Sequence, residues 1–309
     1  MKYSFNYIIT IHNKEHLIND VLAGIKNCAS QDSKIYPVLD GCTDNSEQII
    51  DEFSLNNPEL EIIKIYENDV HELRAINAAL KKNSYNGKPQ LNIILQDDVV
   101  LNDKFLENHL EKLFSNFVDV LGVVSLRHGG DLSSFLLKKE SSIFPIRNYI
   151  ETVFGHGVSG NIKDLEEGCF VFRDVAIKSP ICISSQLINK IGFPDEVYQP
   201  WDDIAYCYKA LQNGCRNGVL SANFISEKEW GTMRNKKQQQ KHDDIVIKNL
   251  KTFRKLNAAT LDDFFTKRRI DKNIYRIWDA PKISKPRYFI YAKSIISQTL
   301  YKTKLIFKK

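Results

Sequence analysis

The sequence contains no Cys-x-x-Cys pair, and none of its six cysteines, Cys28, Cys42, Cys169, Cys182, Cys207 and Cys215, has a histidine at zinc-finger spacing. Reduced thiols in or near the core are therefore expected rather than a structural metal or redox centre. No apolar run reaches membrane-spanning length, and residues 5–11, FNYIITI, are too short and too weakly flanked for a secretion signal. A cytosolic protein is expected. An excess of one charge is also nearly lacking: 43 Lys and Arg stand against 38 Asp and Glu, for a formal net charge of +5. That is too little to indicate a nucleic-acid partner. What excess there is sits at one end, because residues 282–309 hold no acidic residue at all. No internal repeat is present.

What the sequence does have is an alternation of short apolar runs with amphipathic stretches. Residues 5–11, 34–39, 60–66 and 91–95 read as strands. Helices are expected from about Lys14 to Cys28, from near Glu47, over 71–82 and over 103–117, with a further strand at 120–125. This alternation calls for a mainly parallel sheet with helices on both faces. Between Arg127 and about Ser179 the glycines Gly129, Gly130, Gly155, Gly157, Gly160 and Gly168 interrupt the pattern, so long loops and short elements are expected there. A short helix over 184–191 ending at Gly192, a helix from Asp202 stopped by Gly214, a strand over 218–225 and a helix near 243–256 complete the reading.

Polar residues gather where the strands stop. LNIILQDDVVLN (91–102) is a buried strand that ends on Gln96, Asp97 and Asp98. In open sheets flanked by helices, ligands bind beyond the carboxyl ends of the strands, so acids placed there suit a cation and the phosphates it carries. TIHNKE (10–15), VLDGCTDNS (38–46), ELRAINAAL (72–80) and GFPDEVYQPWDDIAYCYKALQNG (192–214) are the other segments of this kind.

The order of these segments resembles that of the family-2 glycosyltransferases. The resemblance covers roughly the first 225 residues and implies a GT-A-type, Rossmann-like mixed and mainly parallel sheet flanked by helices. It implies a nucleotide-sugar site made of Thr10, His12, Asn13, Asp40, Arg74, Asn77, Gln96 and Asp97, with Arg74 at the base or diphosphate of the donor. Asp44 is expected to cap a helix. The family's metal motif, two acids one residue apart, is Gln96-Asp97-Asp98 here; the first acid is an amide, and Asp98 remains as the expected ligand of Mn2+ or Mg2+. By position Asp203 is the general base, Asp202 its neighbour, and Trp201, Asp195, Glu196 and His156 are candidates on the acceptor side. The adjacent carboxylates repel, which raises one of them, while a helix N-terminus favours the ionised form. Many relatives carry a metal-binding His in the strand after the acid pair; residues 223–234 have none, and Glu227 or Glu229 are the available substitutes.

The resemblance thus implies an inverting transfer of a sugar, most simply from a UDP-sugar, to a hydroxyl of a glycan or lipid-linked acceptor in bacterial surface polysaccharide synthesis. A catalytic domain is expected over 1–256, with halves at 1–125 and 126–256, followed by a basic amphipathic helical extension over 257–309. In residues 285–309 apolar residues recur at three- and four-residue steps among lysines, as in a helix lying on an anionic membrane surface or docked on protein. Two other readings are carried: a sugar-nucleotide nucleotidyltransferase, disfavoured because His12-Asn13-Lys14-Glu15 is no glycine-rich phosphate loop, and a catalytically weak scaffold protein.

Overall fold

In a computed structural model of the chain, residues 3–83, 87–132, 153–154, 163–226, 236–267, 271 and 273–279 are described. In chain order the elements are β1 (Ser4–Ile11), α1 (Ile18–Cys28), β2 (Lys34–Asp40), α2 (Ser46–Asn56), β3 (Glu61–Ile62), β4 (Ile65–Glu67), α3 (Glu72–Lys82), β5 (Gln90–Gln96), β6 (Val99–Leu101) and α4 (Leu106–Asn116). There follow β7 (Leu121–Ser125), β8 (His128–Gly130), β9 (Val153–Phe154), β10 (Lys163–Asp164), β11 (Cys169–Phe172), β12 (Val175–Ile177), β13 (Ile181–Ser184), α5 (Ser185–Ile191), α6 (Asp202–Gln212), β14 (Arg216–Leu220), β15 (Phe224–Ser226), α7 (Lys236–Lys267) and β16 (Tyr275–Arg276).

A ten-stranded sheet runs β16-β11-β14-β7-β13-β5-β1-β2-β3, with β4 also on β2. β1 lies inside it, parallel to both β2 and β5. A strand covered on both faces must be apolar on both, which is why its residues after Ser4 are all buried. Side chains alternate between the faces. Tyr7, Ile9, Ile11, Ile93 and Leu95 pack with α1, α2 and α4 on one side. Ile8 and Ile94 join Ala75 and Ile76 of α3, Leu187 of α5 and Tyr206 of α6 on the other. The sheet is mixed because β13 inserts antiparallel between β5 and β7, while β7 and β14 are parallel to each other. The carboxyl ends of β1, β2, β5 and β7 and the start of β13 therefore lie along one edge.

Several sequence expectations change. The run 60–66 divides into β3 and β4, which pair with different stretches of β2. The stretch 127–179, expected as loops and short elements, also supplies β11 to the main sheet, and β13 follows it directly. The strand expected over 218–225 is two strands, β14 in the main sheet and β15 paired with β6. The boundary expected at 256 falls inside α7, which starts among the Lys and Gln residues read as a polar lead-in, both good helix formers. Beyond that point Leu261 and Phe264 pack with Trp201 and Tyr208, and β16 pairs with β11. At least to residue 279, then, the chain after 256 belongs to the body of the fold. Gly218 on β14 marks a close approach that no other residue allows, since a Cβ there would lie 2.3 Å from the Phe170 ring and 2.6 Å from the Val171 carbonyl oxygen. Among the described residues no helix is long and apolar enough to cross a membrane. Residues 285–309 lie outside the described residues.

Candidate active site at the sheet edge

The loop after β1 is tied to its neighbours through its backbone. The His12 N–H donates to Asp97 Oδ2 at 3.0 Å, and His12 Nδ1 donates to the Asp40 carbonyl at 2.7 Å. Asn13 has a left-handed backbone (φ 53°), which asparagine tolerates, and its Oδ1 accepts from the Thr43 N–H at 2.8 Å. Thr10 is buried in register with Gln96 on β5. Asp44 accepts from the N–H groups of Ser46 and Glu15, so it steadies the start of α2 and joins two loops at once. Asp40 is only 5% exposed, and its two oxygens take the N–H groups of Val70 and His71 at 2.7 and 2.9 Å, organising the entry to α3.

The turn between β5 and β6 holds Asp97 and Asp98. Lys14 reaches Asp97 at 3.4 Å. Burial raises the proton affinity of the Asp97 carboxyl, opposed by the His12 N–H and by Lys14. Burial likewise raises Asp98, opposed chiefly by the Arg127 guanidinium. Arg127, at the end of β7, donates to Ser226 Oγ of β15 at 2.8 Å. Asp98 Oδ1 is buried with no hydrogen-bond partner. An ionised oxygen in that condition is costly, and a hard cation is the kind of partner it lacks. A divalent ion thus fits at Asp98, though among the described residues no group of three or more His, Cys, Asp and Glu side chains is placed to hold one. The remaining oxygens would come from a ligand and water. Glu227, Glu229 and His156 lie outside the described residues.

Gln96 faces the other way. Its N–H donates to Ser179 Oγ at 2.8 Å and its side-chain amide donates to Glu72 Oε1 at 3.1 Å. Next to Ser179, the Lys178 ammonium bonds both oxygens of Asp202 at 2.9 and 3.1 Å and lies 3.6 Å from Glu72 Oε2. The Lys178 N–H donates to Asp203 Oδ2 at 3.2 Å. Asp202 and Asp203 open α6, where free N–H groups and the helix dipole favour anions. The two are not equivalent. Asp202 is 4% exposed and paired. Asp203 is pushed up to about 7, first by burial and then by the charge of Asp202, with Lys178 opposing. It borders a cavity of about 20 Å3, room for about one water, together with Leu73, Ile94 and Tyr206.

Asp98 and Asp203, far apart in the chain, therefore stand on the same sheet edge, connected through Gln96, Ser179 and Lys178. The structure does not bring every expected residue to that place. Arg74 pairs with Glu196 at 2.9 Å, and Asn77 donates to the Pro194 carbonyl at 3.0 Å, so both join α3 to the turn before α6. Asp195 accepts from the Val197 N–H in that turn. Trp201, expected on the acceptor side, is corrected to a core residue: it is 3% exposed and packs edge-on to Phe253 of α7 with ring centres 4.8 Å apart. Lys14, Glu72, Arg127 and Lys178 were not singled out by the sequence, since isolated charged residues in loops or at a helix start carry no spacing signal.

Known structures with this architecture include GalNAc-T7, crystallised with UDP, GalNAc and Mn2+, at a TM-score of 0.51 and 12% identity over 74% of this chain and 45% of that one. They also include a mannosyltransferase, PcManGT from Pyrobaculum calidifontis, in complex with GDP-Man and Mn2+, at a TM-score of 0.51 and 13% identity over 87% of this chain and 77% of the other. The chain thus spans less than half of the GalNAc-T7 chain, and at these identities the likeness speaks for the GT-A fold. No curated protein sequence matches. The family description Glycosyl transferase family 2 matches residues 7–179, from the middle of β1 to the serine that bonds Gln96, which is more than half of the chain. With its strand-end polar residues on one edge of a GT-A sheet, this chain belongs to glycosyl transferase family 2.

Proposed function

We propose that the chain transfers a sugar from a nucleotide-diphosphate sugar to a hydroxyl of a glycan or lipid-linked acceptor, with inversion, and that Asp203 is the general base. The observation that carries this reading is the unequal acid pair at the start of α6. Asp202 has both of its oxygens occupied by the Lys178 ammonium and is not free to take a proton from an acceptor. Its neighbour, desolvated and beside the charge of Asp202, has a proton affinity matched to work near neutral pH. The family match ends at residue 179, so the role of the pair rests on this geometry and on the sequence resemblance.

In the proposed reaction Asp203 accepts the proton of the acceptor hydroxyl as its oxygen attacks the anomeric carbon from the face opposite the nucleotide. No enzyme nucleophile is needed, and a single displacement inverts the configuration. The loops after β1 and β2 and the β5–β6 turn wall the nucleotide side, with Lys14 and Arg127 supplying positive charge near the diphosphate. A divalent ion held by Asp98 would add charge stabilisation for the leaving diphosphate. The UDP and GDP-Man held by the two structural neighbours support a nucleoside-diphosphate donor and leave the base open. Synthesis of a surface polysaccharide, near a membrane reached by residues 285–309, is part of the same proposal and rests on the sequence alone.

The experiment is donor turnover: the full chain incubated with UDP- and GDP-sugars and Mn2+, with release of nucleoside diphosphate followed. Slow hydrolysis of at least one donor is expected, as water substitutes for the acceptor. No release from any donor, with or without added glycan, would contradict the reading.

A further inference from the structure

We propose that Lys178 is a positioning residue for the acid pair, and that Gln96 is an amide because it must donate to the glutamate that shares this lysine. The proposal deepens the reading of Asp203 as base and rests on it. One residue reaches both acids: its ammonium holds Asp202 and its backbone N–H holds Asp203 Oδ2. Lys178 is itself held from two sides. Glu72 on α3 faces it through Oε2, and the adjacent Ser179 accepts the Gln96 N–H at the end of β5. The Gln96 side chain donates to Glu72 Oε1, the oxygen that Lys178 does not use.

An acid at position 96 would turn that donor into a second carboxylate against Glu72 and add a further anion around one ammonium. Like charges at such distances repel strongly in a partly buried site. The amide instead donates to one Glu72 oxygen while the other faces Lys178. The end of β5 is thereby connected to the start of α6, so that the nucleotide side and the acceptor side of the site share one charge network.

Among the described residues, the following groups face Asp203. Asp202 lies beside it on α6, Lys178 approaches from the segment before β13, and Glu72 stands behind Lys178 on α3. The Cys207 thiol, one turn on, is buried and stays protonated. The Tyr206 hydroxyl donates to the Gly192 carbonyl at 3.0 Å and is held neutral by burial. Lys178 is thus the one cation among them, and it acts to keep Asp203 ionisable.

The test follows the carboxyl of Asp203 itself by 13C NMR of the full chain labelled at aspartate, with the resonance assigned by its loss in Asp203→Asn. In Lys178→Met the titration is expected to move up by about one pH unit or more, a tenfold or greater gain in proton affinity. Lys178→Arg should leave it near its starting place, since the charge and the donors are kept. Gln96→Glu should move it up by a smaller amount. Where Lys178→Met does not fold, Gln96→Glu decides alone: a raised titration supports the proposal, and an unmoved one overturns it. An Asp203 titration unmoved in both variants, or moved as far by Lys178→Arg as by Lys178→Met, also overturns it. The reading beneath fails separately: if Asp203→Asn turns over donor to acceptor normally, the base assignment falls whatever the NMR shows.

Discussion

Asp203→Asn is expected to lower transfer by about 10²- to 10⁴-fold, the usual contribution of a positioned general base. The amide keeps the shape of the side chain and an oxygen to accept the Lys178 N–H, so the change removes proton acceptance and little else. Nucleotide affinity should persist, because none of the contacts of the loops after β1, β2 and β5 involves this residue. Stability supplies a control with a definite sign. A carboxyl whose folded-state pKa is raised contributes stability below its unfolded pKa and loses it as pH rises through about 7. Above about pH 7 the wild type carries the penalty of a partly buried, ionised Asp203 beside Asp202. The asparagine variant does not, and should melt no lower than wild type there. A variant as active as wild type, or one that melts markedly lower at that pH, contradicts the account.

Phe253→Ala is expected to destabilise the fold by about 3–5 kcal/mol, as large-to-small changes of a buried phenylalanine do. Phe253 is 2% exposed on α7 and meets three rings edge-on: Trp201 at 4.8 Å, Tyr208 at 5.4 Å and Tyr198 at 5.9 Å between centres. Each such pair adds to the area buried. Two of these rings belong to the segment that opens α6 or to the helix itself, so the loss reaches the acid pair as well as the core. Urea unfolding checks the magnitude. A cost under about 1 kcal/mol would show that α7 is only loosely docked and that Trp201 is held by something else.

The core of the fold was legible because its signal is local. Periodic apolar runs place β1, α1, β2, α2, α3, β5 and α4 within a few residues, and the abrupt stop at Gln96-Asp97-Asp98 marks the edge where ligands bind. The second half was harder for a physical reason. β11, β13 and β14 enter the main sheet by pairing with strands distant in sequence, and no short-range periodicity reports a partner. The same distinction divides the site. Asp98 and the pair Asp202-Asp203 stand at element boundaries, where the sequence announces them. Lys178 and Glu72 acquire meaning only when β13 brings the end of β12 beside α3 and α6. Arg74 and Asn77, assigned by resemblance to the donor, meet Glu196 and Pro194 instead. Trp201, beside the acids in sequence, points into the core because the first turn of a helix presents successive residues to different sides. The amide at Gln96, where the family motif has an acid, is next to Glu72 a hydrogen-bond donor with a defined acceptor.

The central claim is that the edge bearing Asp98 and Asp203 is a nucleotide-sugar site, and thermal unfolding with a panel of nucleoside diphosphates tests it most directly. A ligand that binds only the folded chain stabilises it by about 2.7 kcal/mol at a concentration of 100 times its Kd. The account predicts that at least one nucleoside diphosphate raises the melting temperature, that Mn2+ enlarges the rise, and that Asp98→Asn removes the Mn2+ part while leaving the rest. No stabilisation by any nucleoside diphosphate, or an Mn2+ effect undiminished in Asp98→Asn, would contradict it.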